Sequence, residues 1–228
     1  MLAGIMVRGG SLQFGDLTVL SSFDLHVRRG QSLVVTGGNG SGKSTLLQLC
    51  AGLLPPTTGR VLLDGYLPDP ARPSALFRRG VRRGFVFDNG GLLANQTALA
   101  NVTLPLSYHA DVLGLGAKEI DERARQALAE MQIAQADFHT LPAHLSLGLQ
   151  KRVSVARALA MQPTFVYFDD PHAGLDASSI DLMEKILVRF HEDQAVTLMI
   201  ATRDPSRFDH LGLPMLEIAS TCLVEPMR

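Results

Sequence analysis

The sequence predicts an α/β fold built around a glycine-rich loop, and three observations lead to that prediction. A β-branched run over 32–36 is followed by the glycine loop over 37–44 and then by a helical segment over 44–51. The apolar run over 164–168 has the composition of a strand that is buried on both faces of a parallel sheet. Strand-like segments before residue 30 indicate an antiparallel β-subdomain in addition to this core.

Composition and charge restrict the class of protein. The chain has 228 residues, of which 46% are apolar and 19% charged, so it can form one substantial folded domain. Its net charge of −1 gives no overall case for a nucleic-acid partner, and none is expected. The two cysteines and seven histidines follow no disulfide or metal-ligand spacing, which favours a cytoplasmic, reducing environment. No apolar run approaches the roughly eighteen residues that cross a bilayer, so work at a membrane would require a second chain to span it.

The first third of the chain alternates between strands and turns. Strands are predicted over 11–14 and 19–27, joined by a glycine–aspartate turn, and a further strand with a turn is predicted over 60–65. The basic cluster over 78–83 is typical of a solvated turn, and contact with lipid headgroups or an acidic partner is the alternative.

The rest of the chain is predicted to place short apolar strands between amphipathic helices. Ser146 is a candidate N-cap for the helix after it. Carboxylates end two of the strands, Asp88 in one and the pair Asp169 and Asp170 in the other. The predicted elements are a strand over 84–88, helices over 118–132 and 146–160, a strand over 164–168, a helix over 180–190, a strand over 196–201 and a strand pair within 211–224.

The glycine loop over 37–44 fits the phosphate-binding pattern G-x-x-x-x-G-K-[ST] in full, in the strand–loop–helix context that the pattern requires. Its glycines allow backbone N–H groups to surround phosphate oxygens at the helix N-terminus. Lys43 is expected to reach the β- and γ-phosphates of a nucleoside triphosphate, and the Ser44 hydroxyl to bind Mg²⁺. A glycine turn without a ligand is the alternative, which the context disfavours. The predicted nucleotide-binding residues here are Gly37, Asn39, Gly40, Ser41, Gly42, Lys43, Ser44 and Thr45.

Three later motifs indicate which kind of P-loop protein the chain resembles. The segment 145–159, LSLGLQKRVSVARAL, looks like the LSGGQ signature and the helix after it. The segment 168–171 is similar to a Walker B motif, and 173–176 to a D-loop. Together with the phosphate loop, these motifs resemble the ATP-binding cassette (ABC) family in order and spacing, over nearly the whole chain.

The resemblance implies a P-loop NTPase fold of ABC type, with a RecA-like core, an antiparallel β-subdomain and a helical subdomain in one domain over 1–228. Segments 1–88 and 161–228 would form the β-subdomain and the nucleotide core. The segment of about 89–160 would form the helical subdomain with the signature helix. By the same resemblance, Phe14 matches the aromatic residue that stacks on adenine.

The resemblance also implies a ligand set and a dimer. Asp169, at the end of its strand, would hold Mg²⁺ opposite Ser44. Ser146 and Gly148 would form a second anion site at the start of their helix. The family uses that site in trans, in a head-to-tail dimer with each ATP between one chain's P-loop and its partner's signature.

The chain departs from the family pattern at five functional positions. Asp88 stands where the family has the Q-loop glutamine, and Asp170 where it has the glutamate base after the Walker B aspartate. Arg203 replaces the switch histidine. Leu147 and Leu149 replace a glycine and a glutamine of the signature. These changes put the hydrolytic step, more than ATP binding, in doubt.

We predict that hydrolysis is slow or absent. The carboxylate of Asp170 is one methylene shorter than that of glutamate, and a displacement of about 1 Å can cost on the order of 100-fold in rate. The alternative is that Asp170 acts adequately, for example through a water. Two arrangements are open for the substitutions at the Q-loop and switch positions. Either Asp88 and Arg203 neutralise each other, or Arg203 contacts the γ-phosphate while Asp88 binds Mg²⁺.

Two functions compete. The first is the ATP-binding subunit of a membrane ABC transporter, peripheral on the inner face of the cell membrane and coupled to a separate permease through 89–110. The partner cassette would be a second copy or a different chain. The sequence of 89–110 is similar to that of lipid-trafficking cassettes of the MCE or Mla type, which suggests a substrate-binding or MCE-type partner. The second is a catalytically inactive, regulatory cassette that controls assembly or gating. A DNA-repair or translation ATPase is disfavoured, because the chain has neither a long coiled coil nor a second cassette.

Overall fold

The computed structural model describes residues 3–69 and 71–224, which form two β-sheets and a group of helices. The strands in this part are β1 (Gly4–Phe14), β2 (Leu17–Arg28), β3 (Ser32–Gly37), β4 (Thr58–Leu63), β5 (Arg83–Val86), β6 (Phe165–Asp169), β7 (Thr197–Ala201), β8 (Met215–Ala219) and β9 (Cys222–Val224). The α-helices are α1 (Lys43–Cys50), α2 (Pro73–Phe77), α3 (Ala98–Tyr108), α4 (Ala110–Leu113), α5 (Ala117–Glu130), α6 (Leu147–Ala160) and α7 (Ala177–Glu192). Short 3₁₀ turns cover Gln135–Asp137, Pro142–His144 and Pro205–Leu211.

The smaller sheet is antiparallel in the order β2-β1-β4, which confirms the predicted β-subdomain. The sequence predicted a first strand over 11–14, but β1 already starts at Gly4. Gly9 and Gly10 lie inside β1, where the pairing with β2 shifts register. Such a bulge accommodates glycine within a strand, and this explains the missed residues.

The larger sheet has the order β5-β6-β7-β3-β8-β9, with parallel pairing except between β8 and β9. Every residue of β6 and β7 is buried, as the continuous apolar runs predicted. The predicted terminal strand pair is confirmed as β8 and β9. The carboxyl ends of β3, β6 and β7 meet at one edge, and the glycine loop, Asp169 and Arg203 therefore lie on that edge.

The helices α3, α5 and α6 pack together over a shared apolar core beside β5. Pro105 lies inside α3 and does not end the helix. The predicted division into 1–88 with 161–228 and about 89–160 stays a prediction. In the described ranges, every helix is too short or too polar to span a bilayer.

Candidate functional site

The glycine loop between β3 and α1 has the backbone conformation of a tight cradle. Gly37 and Gly42 have φ angles of 147° and 101°, which residues with a side chain rarely adopt. A Cβ on Gly37 would lie 2.7 Å from both the Ile218 carbonyl oxygen and Ser41 Oγ, so the loop also closes too tightly for a side chain. These positions therefore require glycine for conformation and for space.

Lys43 and Ser41 direct polar groups at the inside of this loop. Lys43 Nζ donates to the carbonyl oxygens of Gly37 at 2.8 Å and Gly38 at 2.7 Å. Burial lowers the pKa of Lys43, and the nearby Asp170 carboxylate opposes that shift. Ser41 Oγ is buried with no hydrogen-bond partner among the described residues. The lysine ammonium, the unpaired hydroxyl and the loop N–H groups are all hydrogen-bond donors, so the loop fits a phosphate chain, whose oxygens are anionic acceptors.

Two of the three predicted magnesium ligands, Ser44 and Asp169, lie together. Ser44 Oγ donates to Asp169 Oδ1 at 2.9 Å, across the gap between α1 and the end of β6. Asp169 is 6% exposed, and burial raises its pKa, while the Ser44 hydrogen bond opposes that rise. The negative charges of Asp88 and Asp170 raise that pKa further. A hydroxyl and a carboxylate are hard oxygen donors, so these residues fit Mg²⁺, which would neutralise charge on the phosphate oxygens when bound.

Arg203 pairs with Asp170 and not with Asp88. Its Nε lies 2.6 Å from Asp170 Oδ2, and the Asp170 side chain is 21% exposed. The Asp88 carboxylate instead accepts from the backbone N–H of Asn89 at 2.7 Å. Of the two arrangements open for Asp88 and Arg203, mutual neutralisation is therefore wrong for this structure, and the other stays a prediction. The physical reason is the sheet order, because β6 and β7 are direct neighbours and bring Asp170 and Arg203 together at their ends.

These groups surround a cavity of about 430 Å³ at the carboxyl edge of the larger sheet. The predicted residues that line it are Asn39, Gly40, Lys43, Ser44, Asp88, Asp169, Asp170 and Arg203. The residues that the sequence did not assign to the cavity are Asn89, Leu147, Ala173, Gly174 and Ala201. The cavity holds anionic and cationic side chains side by side, as a site for a metal–phosphate ligand requires.

The other predicted binding residues lie outside this lining. Phe14 is at the end of β1 with 54% of its surface exposed, so it is accessible for stacking but does not line the cavity. Thr45 lies in α1, one residue beyond the lining serine. Ser146 is the N-cap of α6, as predicted, and its hydroxyl accepts from the Leu149 N–H at 3.2 Å. Gly148 packs against the start of α7.

Leu147 occupies a position that the sequence did not suggest. It replaces a glycine of the signature, and its side chain lines the cavity of its own chain. A Cβ on Gly174 would lie 2.4 Å from Leu147 Cδ2, so this leucine packs directly on the loop after β6. The family comparison alone could not indicate this, because a glycine at the same position has no side chain to place.

Gly148→Ala should destabilise the fold. The added Cβ would lie 2.8 Å from Ser179 Oγ on α7, and the Ser179 side chain is buried and bonded to Arg152. Overpacking of this kind costs about 1–3 kcal/mol. The free energy of unfolding in urea measures the loss. The matched control is Gly38→Ala, whose Cβ would contact none of the described residues within 4 Å, and equal stability of the two variants would contradict the packing argument.

Comparison with known proteins decides the family. A sequence model described as ABC transporter matches residues 20–173, which is more than half of the chain. The chain belongs to the ABC transporter family. ATP and Mg²⁺, predicted from the phosphate loop, are the ligands of ABC cassettes, and the ABC ATPase activity class follows from the family.

Curated relatives of this ABC cassette include proteins of several named systems. The lipoprotein-releasing system ATP-binding protein LolD of Bacteroides thetaiotaomicron is 34% identical over 88% of this chain and 90% of its own. The glutamine transport ATP-binding protein GlnQ of Escherichia coli is 36% identical over 85% of this chain and 78% of its own. The macrolide export ATP-binding/permease protein MacB of Syntrophobacter fumaroxidans is 35% identical over 84% of this chain, which spans only 26% of that longer protein.

Solved structures confirm the predicted ABC fold. The ATP-binding cassette MJ0796, in a dimeric post-hydrolysis state bound to ADP and Pi, has a TM-score of 0.85 and 26% identity, covering 98% of this chain and 99% of its own. CbiO1 from Clostridium perfringens, part of the ABC transporter complex CbiONQ, has a TM-score of 0.76 and 27% identity, covering 98% of this chain and 88% of its own.

Proposed function

We propose that this ABC cassette is the ATP-binding subunit of a membrane transporter whose permease is a separate chain. The carrying observation is the phosphate loop with Lys43 inside it and the Ser44–Asp169 pair beside it. Ser146 and Gly148 of a second cassette, identical or different, would complete each ATP site in a head-to-tail dimer. Turnover of ATP by the cassette, measured alone and with its co-encoded membrane protein in vesicles, tests the proposal. Stimulation by the membrane protein is the expected result, and absence of any MgATP binding would overturn it.

Within this proposal, hydrolysis is slow because Asp170 has a competing partner. In hydrolysis a water oxygen attacks the γ-phosphorus, the bond to the β-phosphate oxygen breaks, and a base accepts the water proton. Asp170 is the candidate base, yet its carboxylate is bound to the Arg203 guanidinium at 2.6 Å. A carboxylate oxygen that accepts a hydrogen bond from a guanidinium is less free to orient the attacking water. The same ion pair favours the second candidate, a regulatory cassette that holds ATP, and turnover separates the two.

An apolar groove supports the permease as the partner. It has a volume of about 470 Å³ and lies between α3, β5 and α6. Apolar and basic residues line it together, and they include Leu93, Leu104, Pro105, Tyr108, Ala158 and Met161 with Arg83, His109 and Arg157. Arg157 Nη1 also donates to the Gly91 carbonyl oxygen at 2.9 Å, so the groove connects directly to the loop that carries Asp88. A helix of the permease with apolar and acidic residues fits this groove.

Leu104→Asp should abolish association with the permease. Leu104 is 50% exposed in the groove, where an added carboxylate would oppose apolar contact. MgATP affinity should remain within about twofold, since Leu104 is not among the residues that line the ATP cavity. Co-purification with the co-encoded membrane protein measures the effect. Leu67→Asp is the matched control because Leu67 is 64% exposed away from this groove, and equal loss in both variants would reject the groove as the docking site.

The proposed permease partner gives the cassette a location in the cell but does not identify the transported substrate. Contact with a permease would hold the cassette at the inner face of the cell membrane. Relatives named for a lipoprotein-releasing system, macrolide export and glutamine transport match at 34–36% identity, so the proposal names no cargo. An MCE-type partner stays a prediction from the sequence.

A further inference from the structure

Lys151 is a fully buried cation that the family motifs do not assign to any role. It lies on α6, it is 0% exposed, and its Nζ donates to the Asp170 carbonyl oxygen at 2.9 Å and the Ala173 carbonyl oxygen at 2.7 Å. Removing an ammonium from water costs several kcal/mol even after the protein relaxes. An apolar side chain of similar length could fill the same space, so packing alone does not account for a lysine here.

The first of these bonds acts on the backbone of Asp170. This residue has a φ of 45°, a left-handed conformation that costs a non-glycine residue about 1–3 kcal/mol and persists only where its surroundings enforce it. Its N–H donates to the Ala201 carbonyl oxygen at 2.9 Å, and its own carbonyl accepts from Lys151. Both peptide groups of Asp170 are therefore fixed, and the left-handed turn directs its carboxylate to Arg203 at the cavity.

The second bond acts on the cavity wall. Ala173 and Gly174 line the cavity, and Lys151 binds the Ala173 carbonyl from the side of α6. Leu147, one turn earlier on α6, packs on Gly174. The loop over 170–176 is thus held to the first half of α6 by two hydrogen bonds from Lys151 and one apolar contact from Leu147.

We propose that Lys151 is a positioning residue for hydrolysis, holding the backbone of 170–176 so that the Asp170 carboxylate stays at the ATP cavity, where the attacking water would bind. The inference rests on the proposed function, in which Asp170 is the candidate base. Lys151 does not line the cavity, so it acts through Asp170 and through the wall. It also connects the signature helix of a chain to the catalytic loop of that same chain.

Lys151→Met tests the proposal by removing both hydrogen bonds at similar side-chain volume. We expect kcat to fall on the order of 10- to 100-fold, as a misplaced catalytic group does, with KM and the Kd of MgADP within about threefold. Amide hydrogen exchange should rise at least about tenfold within 170–176, where the Ala173 N–H donates to the Asp170 carbonyl oxygen, and not elsewhere. Lys151→Gln, whose amide keeps donors, should recover part of kcat.

The exchange measurement separates this inference from the proposed function. Lys118→Met, on the exposed face of α5, is the control and should change neither quantity. Unchanged exchange in 170–176 of Lys151→Met would overturn the inference, and so would a uniform rise over the whole chain, which indicates a role in stability alone. If Lys151→Met does not fold, the same comparison is made with Lys151→Gln. If the native protein hydrolyses no ATP, the proposed hydrolysis fails, whereas exchange with MgADP bound still decides whether Lys151 holds the loop.

Discussion

Replacing Lys43 with methionine should lower the affinity for MgATP by about 100-fold or more. Hydrogen bonds to charged groups contribute about 1.5–3 kcal/mol each, and 1.4 kcal/mol is a factor of ten in affinity, so two lost phosphate contacts reach that magnitude. The ammonium already lies inside the loop, bound to the Gly37 and Gly38 carbonyls, so it does not need to be recruited from solvent. Hydrolysis should be lost with it. Equilibrium binding of a fluorescent ATP analogue with Mg²⁺ measures the affinity.

A second variant tests whether the loss of MgATP affinity is specific to the phosphate loop. Lys185 lies on the exposed side of α7, so Lys185→Met removes the same charge away from the cavity and should bind as the native protein does. Thermal unfolding should show that both variants fold. An affinity of Lys43→Met within threefold of the native value would contradict the assignment of this loop as the ATP site.

The phosphate loop could be predicted because its chemistry is local in sequence. Glycine at 37 and 42 is required by backbone angles and close contacts within a few residues, and Lys43 and Ser44 follow directly. The strands of the parallel core could be predicted as well, because strands buried on both faces are continuous apolar runs in the sequence. Ser146 as a helix N-cap was confirmed for the same reason, because its bond spans three residues.

The side-chain contacts that the sequence did not indicate are made between segments far apart in the chain. The partner of Arg203 is Asp170 because β6 and β7 are neighbours, and no pattern within either segment fixes that order. Leu147 reaches its own cavity because the loop after β6 passes beneath it. Lys151 was missed although one signal was present: it lies four residues after Leu147 and four before the buried Val155, on one face of α6. A lysine on a buried helix face needs partners, and it is a candidate for a role.

The charges at the cavity explain why single changes there are not independent. Asp88, Asp169 and Asp170 bring three carboxylates to one region. Burial lowers the pKa of Lys151, and each of the three carboxylates opposes that shift. Arg203 lies on the same cavity and pairs with one of the three. Groups in one ionic network deviate from additivity by about 0.5–3 kcal/mol, so substitutions must be combined to be interpreted.

The double substitution Asp170→Glu and Arg203→His should raise kcat by about 10- to 100-fold. Glutamate extends the carboxylate by one methylene towards the water, and a shift of about 1 Å in a catalytic group is worth on the order of 100-fold. Removing the guanidinium frees that carboxylate from the 2.6 Å ion pair. Aspartate tolerates the left-handed conformation at position 170 better than glutamate, so a small loss of stability should accompany the gain. Steady-state phosphate release at saturating MgATP gives kcat.

The single substitutions determine whether the Asp170–Arg203 ion pair is the cause of the slow hydrolysis. Asp170→Glu alone should gain less than the double variant, because Arg203 would still hold the longer carboxylate. The cycle over the two positions should show a coupling above about 0.5 kcal/mol in the activation free energy. Asp170→Asn is the matched negative control, since it keeps the shape of the side chain and removes the base. Native turnover equal to that of the double variant, with additive single effects, would show that aspartate at this position already serves as an adequate base and would remove the physical argument for slow hydrolysis.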